Sequence, residues 1–238
     1  MKENKVLQLA LNNYNKFAQL EGSDHIATIS SQINLIELLI KFPPKVVLDW
    51  GSGIGTLSKL VLEVSNSKVV AFERNQWCRD QYVLNLGEDP RLELVSVEPI
   101  KYTFNTIIID DYILRRQIKH LLENKLLSVI FIEGWRNRTV AHFSIQILLN
   151  GRSAKFYRCD SRLKDYNLLS KHGSKIEKSG SYFLIENNKT RINSVYSWVL
   201  RVGKTKEFGE VYKEFYFWIG KTLNPSRRIS VILNFIKK

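Results

Sequence analysis

Residues 46–55 read VVLDWGSGIG, an apolar run that breaks into a glycine-rich loop. A second apolar run, KVVAF at residues 68–72, is followed directly by Glu73. Because buried parallel strands are continuous apolar runs, the pattern predicts a strand, a glycine turn, a helix and a second strand that ends in an acid. This order is half of a nucleotide-binding α/β unit. We therefore expect a nucleotide-like ligand at the loop.

Each glycine of the loop has a predicted role. Gly51 permits the sharp turn off the strand, because glycine tolerates left-handed backbone conformations. Gly53 lets a ligand lie against bare backbone, and Gly55 lets the following helix pack close to the sheet. A carboxylate at Glu73 suits a ribose diol, because it can accept two hydroxyl hydrogen bonds.

The spacing of the glycines separates two ligand classes. A dinucleotide fingerprint has its third glycine where this chain has Thr56. Asp49, two residues before the first glycine, is a poor neighbour for a pyrophosphate but suits a ligand with an ammonium group. An NAD-type oxidoreductase is therefore disfavoured but stays open as an alternative.

The order Asp49-x-Gly51-x-Gly53-x-Gly55, with Glu73 ending the next strand, resembles the first two motifs of class I S-adenosylmethionine-dependent methyltransferases. The similarity covers roughly residues 26–187. It implies that the loop holds the amino-acid end of S-adenosylmethionine and that the acid holds the ribose hydroxyls. It also implies a polar contact to the adenine after the third strand, where this chain has Glu98. The expected cofactor-binding residues are Asp49, Gly51, Ser52, Gly53, Gly55, Glu73 and Glu98.

Apolar periodicity along the chain predicts an α/β fold with a doubly wound, seven-stranded and mostly parallel sheet, the Rossmann-like methyltransferase fold. The first five strands are expected to alternate with helices, and the antiparallel last strand is implied by the resemblance alone. The predicted strands are 45–50, 68–73, 92–95, 104–110, 128–133, 154–159 and 181–186. The predicted helices are 3–20, a second one that ends at Pro43, 56–65, 75–86, 112–126 and 137–149. The expected organisation is an N-terminal helical cap at 1–44, a cofactor-binding core at 45–187 and a basic helical extension at 188–238.

The net charge of +13 is unevenly distributed. Residues 1–150 carry 17 basic and 16 acidic side chains, whereas residues 151–238 carry 19 and 7. A basic surface attracts phosphates, so RNA or an anionic membrane surface are partners to test. We expect the amphipathic helices of the extension to pack on the protein or on a second copy, with a membrane interface as the alternative. Two isolated cysteines and no long apolar span predict a cytoplasmic protein, with peripheral membrane attachment left open.

Methyl transfer from a sulfonium to oxygen or nitrogen needs an aligned acceptor and often a base. The expected catalytic residues are Asp110 and Glu133, at the ends of the fourth and fifth strands. Some O-methyltransferases of the family that this chain resembles bind a divalent metal through an Asp-Asn pair after the fifth strand. This chain has Glu133-Gly134 there, so the resemblance disfavours a divalent metal. The motifs of base-nitrogen and cytosine-C5 methyltransferases are absent. We therefore expect O-methylation of a small molecule, glycan or anionic conjugate, with RNA methylation or a non-catalytic cofactor-binding role as alternatives.

Overall fold

The computed structural model describes residues 3–134, 137–149, 152–159 and 180–186 of the 238-residue chain. The helices are α1 (Glu3–Phe17), α2 (Ile29–Lys41), α3 (Thr56–Val64), α4 (Gln76–Leu86), α5 (Arg115–Glu123) and α6 (Asn137–Leu149), with a 3-10 turn at Ser23–His25. The strands are β1 (Val46–Trp50), β2 (Lys68–Phe72), β3 (Leu92–Val95), β4 (Thr106–Ile109), β5 (Val129–Ile132), β6 (Ser153–Arg158) and β7 (Ser181–Glu186).

The seven strands form one sheet in the order β3-β2-β1-β4-β5-β7-β6. β1 to β5 are parallel, and β7 is antiparallel to both β5 and β6. The predicted fold class is thus confirmed, including the antiparallel strand. Strand order reverses between β1 and β4, and ligands of such sheets bind beyond the carboxyl ends of the strands at this reversal. The glycine loop after β1 lies at that point.

The expectation that helices alternate with the first five strands fails between β3 and β4. Residues 96–105 connect these strands without a helix. Phe104 is buried in the hydrophobic core together with Leu48 and Trp50 of β1. The hydroxyl of Tyr102 donates to the Glu93 carboxylate of β3. One buried aromatic and one hydrogen bond to the edge strand therefore anchor a short connection that has no helix.

Two hydrophobic layers enclose the sheet because successive side chains of a strand point to opposite faces. Val47 of β1 packs in the layer that also contains residues of α1, α2 and α3. Leu48 and Trp50 of the same strand pack in the opposite layer, which contains residues of α5 and α6. Both layers include fully buried residues of β4 and β5, as continuous apolar parallel strands require.

The N-terminal helices are built into the first of these layers. Ile29, Ile33 and Ile36 of α2 are completely buried, and the helix starts at a Thr28 cap whose hydroxyl accepts from the Ser31 amide. On α1, Asn13 is also buried and its amide nitrogen donates to the side chain of Gln32 and to the carbonyl of Thr56. The second bond reaches the first turn of α3, so the N-terminal helices contact the helix that follows the glycine loop. The predicted boundary between residues 44 and 45 stays a prediction.

The described residues contain no helix long and apolar enough to cross a membrane. The predicted basic extension at 188–238 lies outside the described residues, as does most of the basic half of the chain.

Candidate cofactor and active site

The loop after β1 folds back onto the end of β2. The amides of Gly51 and Ser52 both donate to the carbonyl of Phe72, at 2.9 and 3.2 Å. The amide of Gly55 closes the loop by donating to the carbonyl of Ser52 at 2.9 Å. The three glycines have φ angles of 82°, 54° and 101°, a left-handed backbone that other residues adopt only with strain.

The surroundings of the three glycines differ. A Cβ on Gly51 would lie 2.3 Å from the Cβ of Asp111, so only glycine allows this approach between the loops after β1 and β4. A Cβ on Gly55 would lie 2.2 Å from Leu86 of α4. Gly55 therefore permits a close contact between the loop and α4, and its predicted role in packing α3 against the sheet stays a prediction. A Cβ on Gly53 would meet nothing within 4 Å, so the middle of the loop faces open space.

Glu73 is held against the open part of the loop. One of its carboxylate oxygens accepts from the amide of Gly53 at 2.9 Å, and the other accepts from the amide of Asn75 at 2.8 Å. Asn75 in turn caps α4 by accepting from the Trp77 amide at 3.0 Å. The carboxylate therefore has a fixed position beside Gly53 and is partly exposed.

Asp49 lies on β1, two residues before Gly51, and is completely buried. Its Oδ2 accepts from the Ser58 hydroxyl at 2.6 Å, while Oδ1 has no hydrogen-bond partner among the described residues. Burial raises the pKa of Asp49 from 3.8 to about 6, the hydrogen bond from Ser58 opposes this rise, and the charge of Glu73 adds to it. The site thus contains a buried carboxyl with one unsatisfied oxygen.

The predicted catalytic acids follow two adjacent strands. The amide of Asp110 donates to the carbonyl of Trp50 at 3.0 Å, and the amide of Glu133 donates to the carbonyl of Ile109 at 2.9 Å. The ends of β1, β4 and β5 are therefore level at the same edge of the sheet. Asp110 is partly exposed, whereas Glu133 is only 7% exposed.

An ion pair that the sequence did not reveal crosses the site. Arg74 Nη2 lies 2.6 Å from Oδ2 of Asp111, and Oδ1 of the same aspartate accepts from the Tyr112 amide. The pair connects the loops after β2 and β4, above the end of β1. The Asp111 carboxylate is therefore paired with Arg74, and the residue lies directly against Gly51.

Glu98 lies on the long connection after β3 and is partly exposed. One of its oxygens accepts from the side chain of Gln117, whose own oxygen accepts from the Leu114 amide at 2.6 Å. Gln117 is 2% exposed and was not singled out in the sequence. It stands three residues after Leu114, the N-cap of α5, where a capping box carries Glu or Gln; the predicted helix began at residue 112, so this position was not recognised.

Within the described residues, no three His, Cys, Asp or Glu side chains are grouped closely enough to hold a metal ion. The side chain of Asn137, the residue nearest to the missing metal-ligand position, lies outside the described residues.

No protein-family model and no curated protein matches this chain. We describe two of the solved structures that share its fold. One is protein 1320 of Thermoplasma acidophilum, with a TM-score of 0.51, 15% identity, and coverage of 76% of this chain and 98% of the other. The second is a methyltransferase from Geobacter sulfurreducens, with a TM-score of 0.51, 12% identity, and coverage of 74% and 89%. The chain has the fold of class I S-adenosylmethionine-dependent methyltransferases.

Proposed function

We propose that the protein is an S-adenosylmethionine-dependent methyltransferase. The observation that carries the proposal is the loop at the strand reversal, where Gly53 faces open space and its amide is bonded to the Glu73 carboxylate. A nucleoside ligand needs both features, because its sugar binds an acceptor while the rest of it lies against exposed backbone.

The residues present fit this cofactor. The buried Oδ1 of Asp49 has no partner, and a buried carboxylate favours a nearby cation, which the ammonium group of S-adenosylmethionine supplies. Glu73 would bind the ribose hydroxyls through the acceptor capacity that remains on its two oxygens. Gly51, Ser52, Gly53 and Gly55 would hold the amino-acid end, and Glu98 would contact the adenine.

The dinucleotide alternative fits less well. Thr56 occupies the position of the third glycine, and it is 5% exposed at the start of α3. Asp49 adds a negative charge beneath the turn, where a pyrophosphate would lie. Both features oppose NAD binding.

The cofactor supplies an activated methyl group on a sulfonium, and the protein must position the acceptor and remove its proton. Asp110 and Glu133 are the proposed acids for this role, because they end adjacent strands beside the loop. A carboxylate that takes the proton from an acceptor hydroxyl makes the oxygen a better nucleophile. No metal is part of this proposal.

The proposed acceptor is an oxygen of a small molecule, a glycan or an anionic conjugate. RNA is the second candidate, because residues 151–238 carry 19 basic and 7 acidic side chains. Phosphate contacts make the affinity for RNA fall steeply with salt, so filter binding at two salt concentrations separates the two. A response to salt that is flat would exclude RNA. Liposome co-sedimentation with anionic and neutral vesicles tests the alternative of a membrane surface.

The direct experiment is calorimetric titration of the full chain with S-adenosylhomocysteine and with NADH, followed by incubation of the protein and methyl-labelled S-adenosylmethionine with fractionated cell extract. We expect one site for S-adenosylhomocysteine, none for NADH, and label in one class of extract molecule. Binding of NADH alone would refute the proposal. Binding of S-adenosylhomocysteine without labelling of any fraction would favour a non-catalytic cofactor-binding protein.

A further inference from the structure

A buried glutamine connects the loop after β3 to the start of α5. Gln117 donates from Nε2 to Oε1 of Glu98 and accepts at its own Oε1 from the Leu114 amide, at 2.6 Å for the second bond. These assignments follow from the partners, because a backbone N–H only donates and an ionised carboxylate only accepts. Turning the amide over would place donor against donor at one end. Gln117 therefore has one allowed orientation.

The choice of glutamine at this position is informative. A helix cap of this kind accepts either Glu or Gln at the third helical position, because only an acceptor is needed for the backbone amide. A glutamate at 117 would keep that bond but would place a second carboxylate against Glu98. The cap alone therefore does not require an amide, whereas the contact with Glu98 does.

Glu98 has only one of its two oxygens held in this way. Among the described residues, Gln117 is the single side chain that hydrogen-bonds the Glu98 carboxylate, and Glu98 is partly exposed. The second oxygen can therefore accept from a ligand. The loop that carries Glu98 follows β3, and the end of β3 lies beside Glu73, because the Glu73 amide donates to the carbonyl of Val95 at 3.1 Å.

We infer that Gln117 is a positioning residue that makes Glu98 present a hydrogen-bond acceptor to the exocyclic amine of adenine, and that this pair selects adenine over hypoxanthine. The inference rests on the proposed function, which places the cofactor's adenine at Glu98. Adenine carries an NH₂ donor at the position where hypoxanthine carries a carbonyl acceptor, so an acceptor on the protein favours adenine and repels hypoxanthine.

The pair of Glu98 and Gln117 allows a test in which one substitution reverses the preference for adenine over hypoxanthine and a second substitution restores it. In Glu98→Gln, Nε2 of Gln117 holds the oxygen of the introduced amide, so its NH₂ faces the ligand and suits hypoxanthine. In the double variant Glu98→Gln with Gln117→Glu, the introduced carboxylate holds that NH₂ instead. The amide oxygen then faces the ligand again, and adenine is favoured as in the native protein.

The experiment is titration of the full chain and its variants with S-adenosylhomocysteine and S-inosylhomocysteine, with the ratio of the two Kd values as the readout. We expect the native protein to prefer S-adenosylhomocysteine by about tenfold to a hundredfold, the range for one mismatched hydrogen bond in a partly buried site. Glu98→Gln is expected to prefer S-inosylhomocysteine, and the double variant to return to the native preference.

The matched control is Glu93→Gln on β3, because Glu93 is bonded to Lys68 and Tyr102 and has no part in the proposed site. Its ratio should equal that of the native protein. A ratio that is the same in Glu98→Gln and the native protein would overturn the inference, as would a double variant that stays like the single one. An equal loss of both affinities would mark a purely structural role and would overturn it too. If the native protein binds neither compound, the proposed function itself fails.

Discussion

Asp49→Asn should remove a pH-dependent loss of stability that the buried carboxyl of Asp49 causes in the native protein. The carboxyl of Asp49 is completely buried and its Oδ1 has no partner among the described residues, so ionisation is unfavourable in the folded state. Burial raises its pKa to about 6, whereas the unfolded chain has a value near 3.8. Below 3.8 both states are protonated and the group has no effect. As the pH rises to 6, the unfolded state loses its proton first and the free energy of unfolding falls.

The size of this effect follows from the two pKa values. Since a difference of one pKa unit corresponds to about 1.36 kcal/mol, the full loss of unfolding free energy at high pH is about 3 kcal/mol. About 2 kcal/mol of it develops between pH 4.5 and pH 8. An asparagine keeps an acceptor for the Ser58 hydroxyl but cannot ionise. Its unpaired NH₂ has a cost that does not change with pH.

The assay is urea denaturation of the native protein and Asp49→Asn at pH 4.5 and pH 8. The stability of the variant relative to the native protein should rise by about 2 kcal/mol between the two pH values. Comparing the two pH values cancels the constant cost of the amide. Asp24→Asn, at an exposed position, is the matched control and should show no such change. A difference for Asp49→Asn that does not change with pH would refute the reasoning.

Three further predictions concern the loop and its supports. Gly53→Ala should fold, because its φ of 54° costs an alanine only about 1–2 kcal/mol and no atom blocks the added methyl group. The same variant should lose binding of S-adenosylhomocysteine in calorimetry. Gly51→Ala, whose Cβ would lie 2.3 Å from Asp111, should melt at a clearly lower temperature than Gly53→Ala. Glu73→Ala should bind S-adenosylhomocysteine at least about tenfold more weakly with unchanged circular dichroism, and unchanged affinity would contradict the ribose assignment. Asn13→Ala should lower the free energy of unfolding by about 1–3 kcal/mol in urea titrations because it removes both of its buried hydrogen bonds, and an unchanged midpoint would show that the contact with α3 is dispensable.

Most of the fold could be predicted because its elements have strong local signals. The strands ending at Trp50 and Phe72 are apolar runs bounded by a glycine loop and an acid, and each begins and ends within about a residue of the prediction. The antiparallel β7 came from the family resemblance, since pairing direction has no local signature in a short apolar strand. The predicted helices already left residues 96–103 without one, so only the general statement that helices alternate with the first five strands was too broad.

The site was predicted less completely. The positions of Gly51, Gly53 and Glu73 follow from their spacing along the chain, which fixes the ends of two adjacent strands. The partners Ser58, Arg74 and Gln117 could not be predicted, because each bond depends on how separate segments pack. The contact of Gly55 with Leu86 could not be predicted either, because helix contacts depend on side-chain packing and not on the motif.

A crystal structure of the protein with S-adenosylhomocysteine tests the central claim most directly. The account predicts that the ribose hydroxyls lie within hydrogen-bond distance of Glu73 and that the amino-acid end lies along Gly51 to Gly55, over the open space at Gly53. A ligand bound elsewhere would contradict the account, and so would an empty loop in crystals that contain the compound at a saturating concentration.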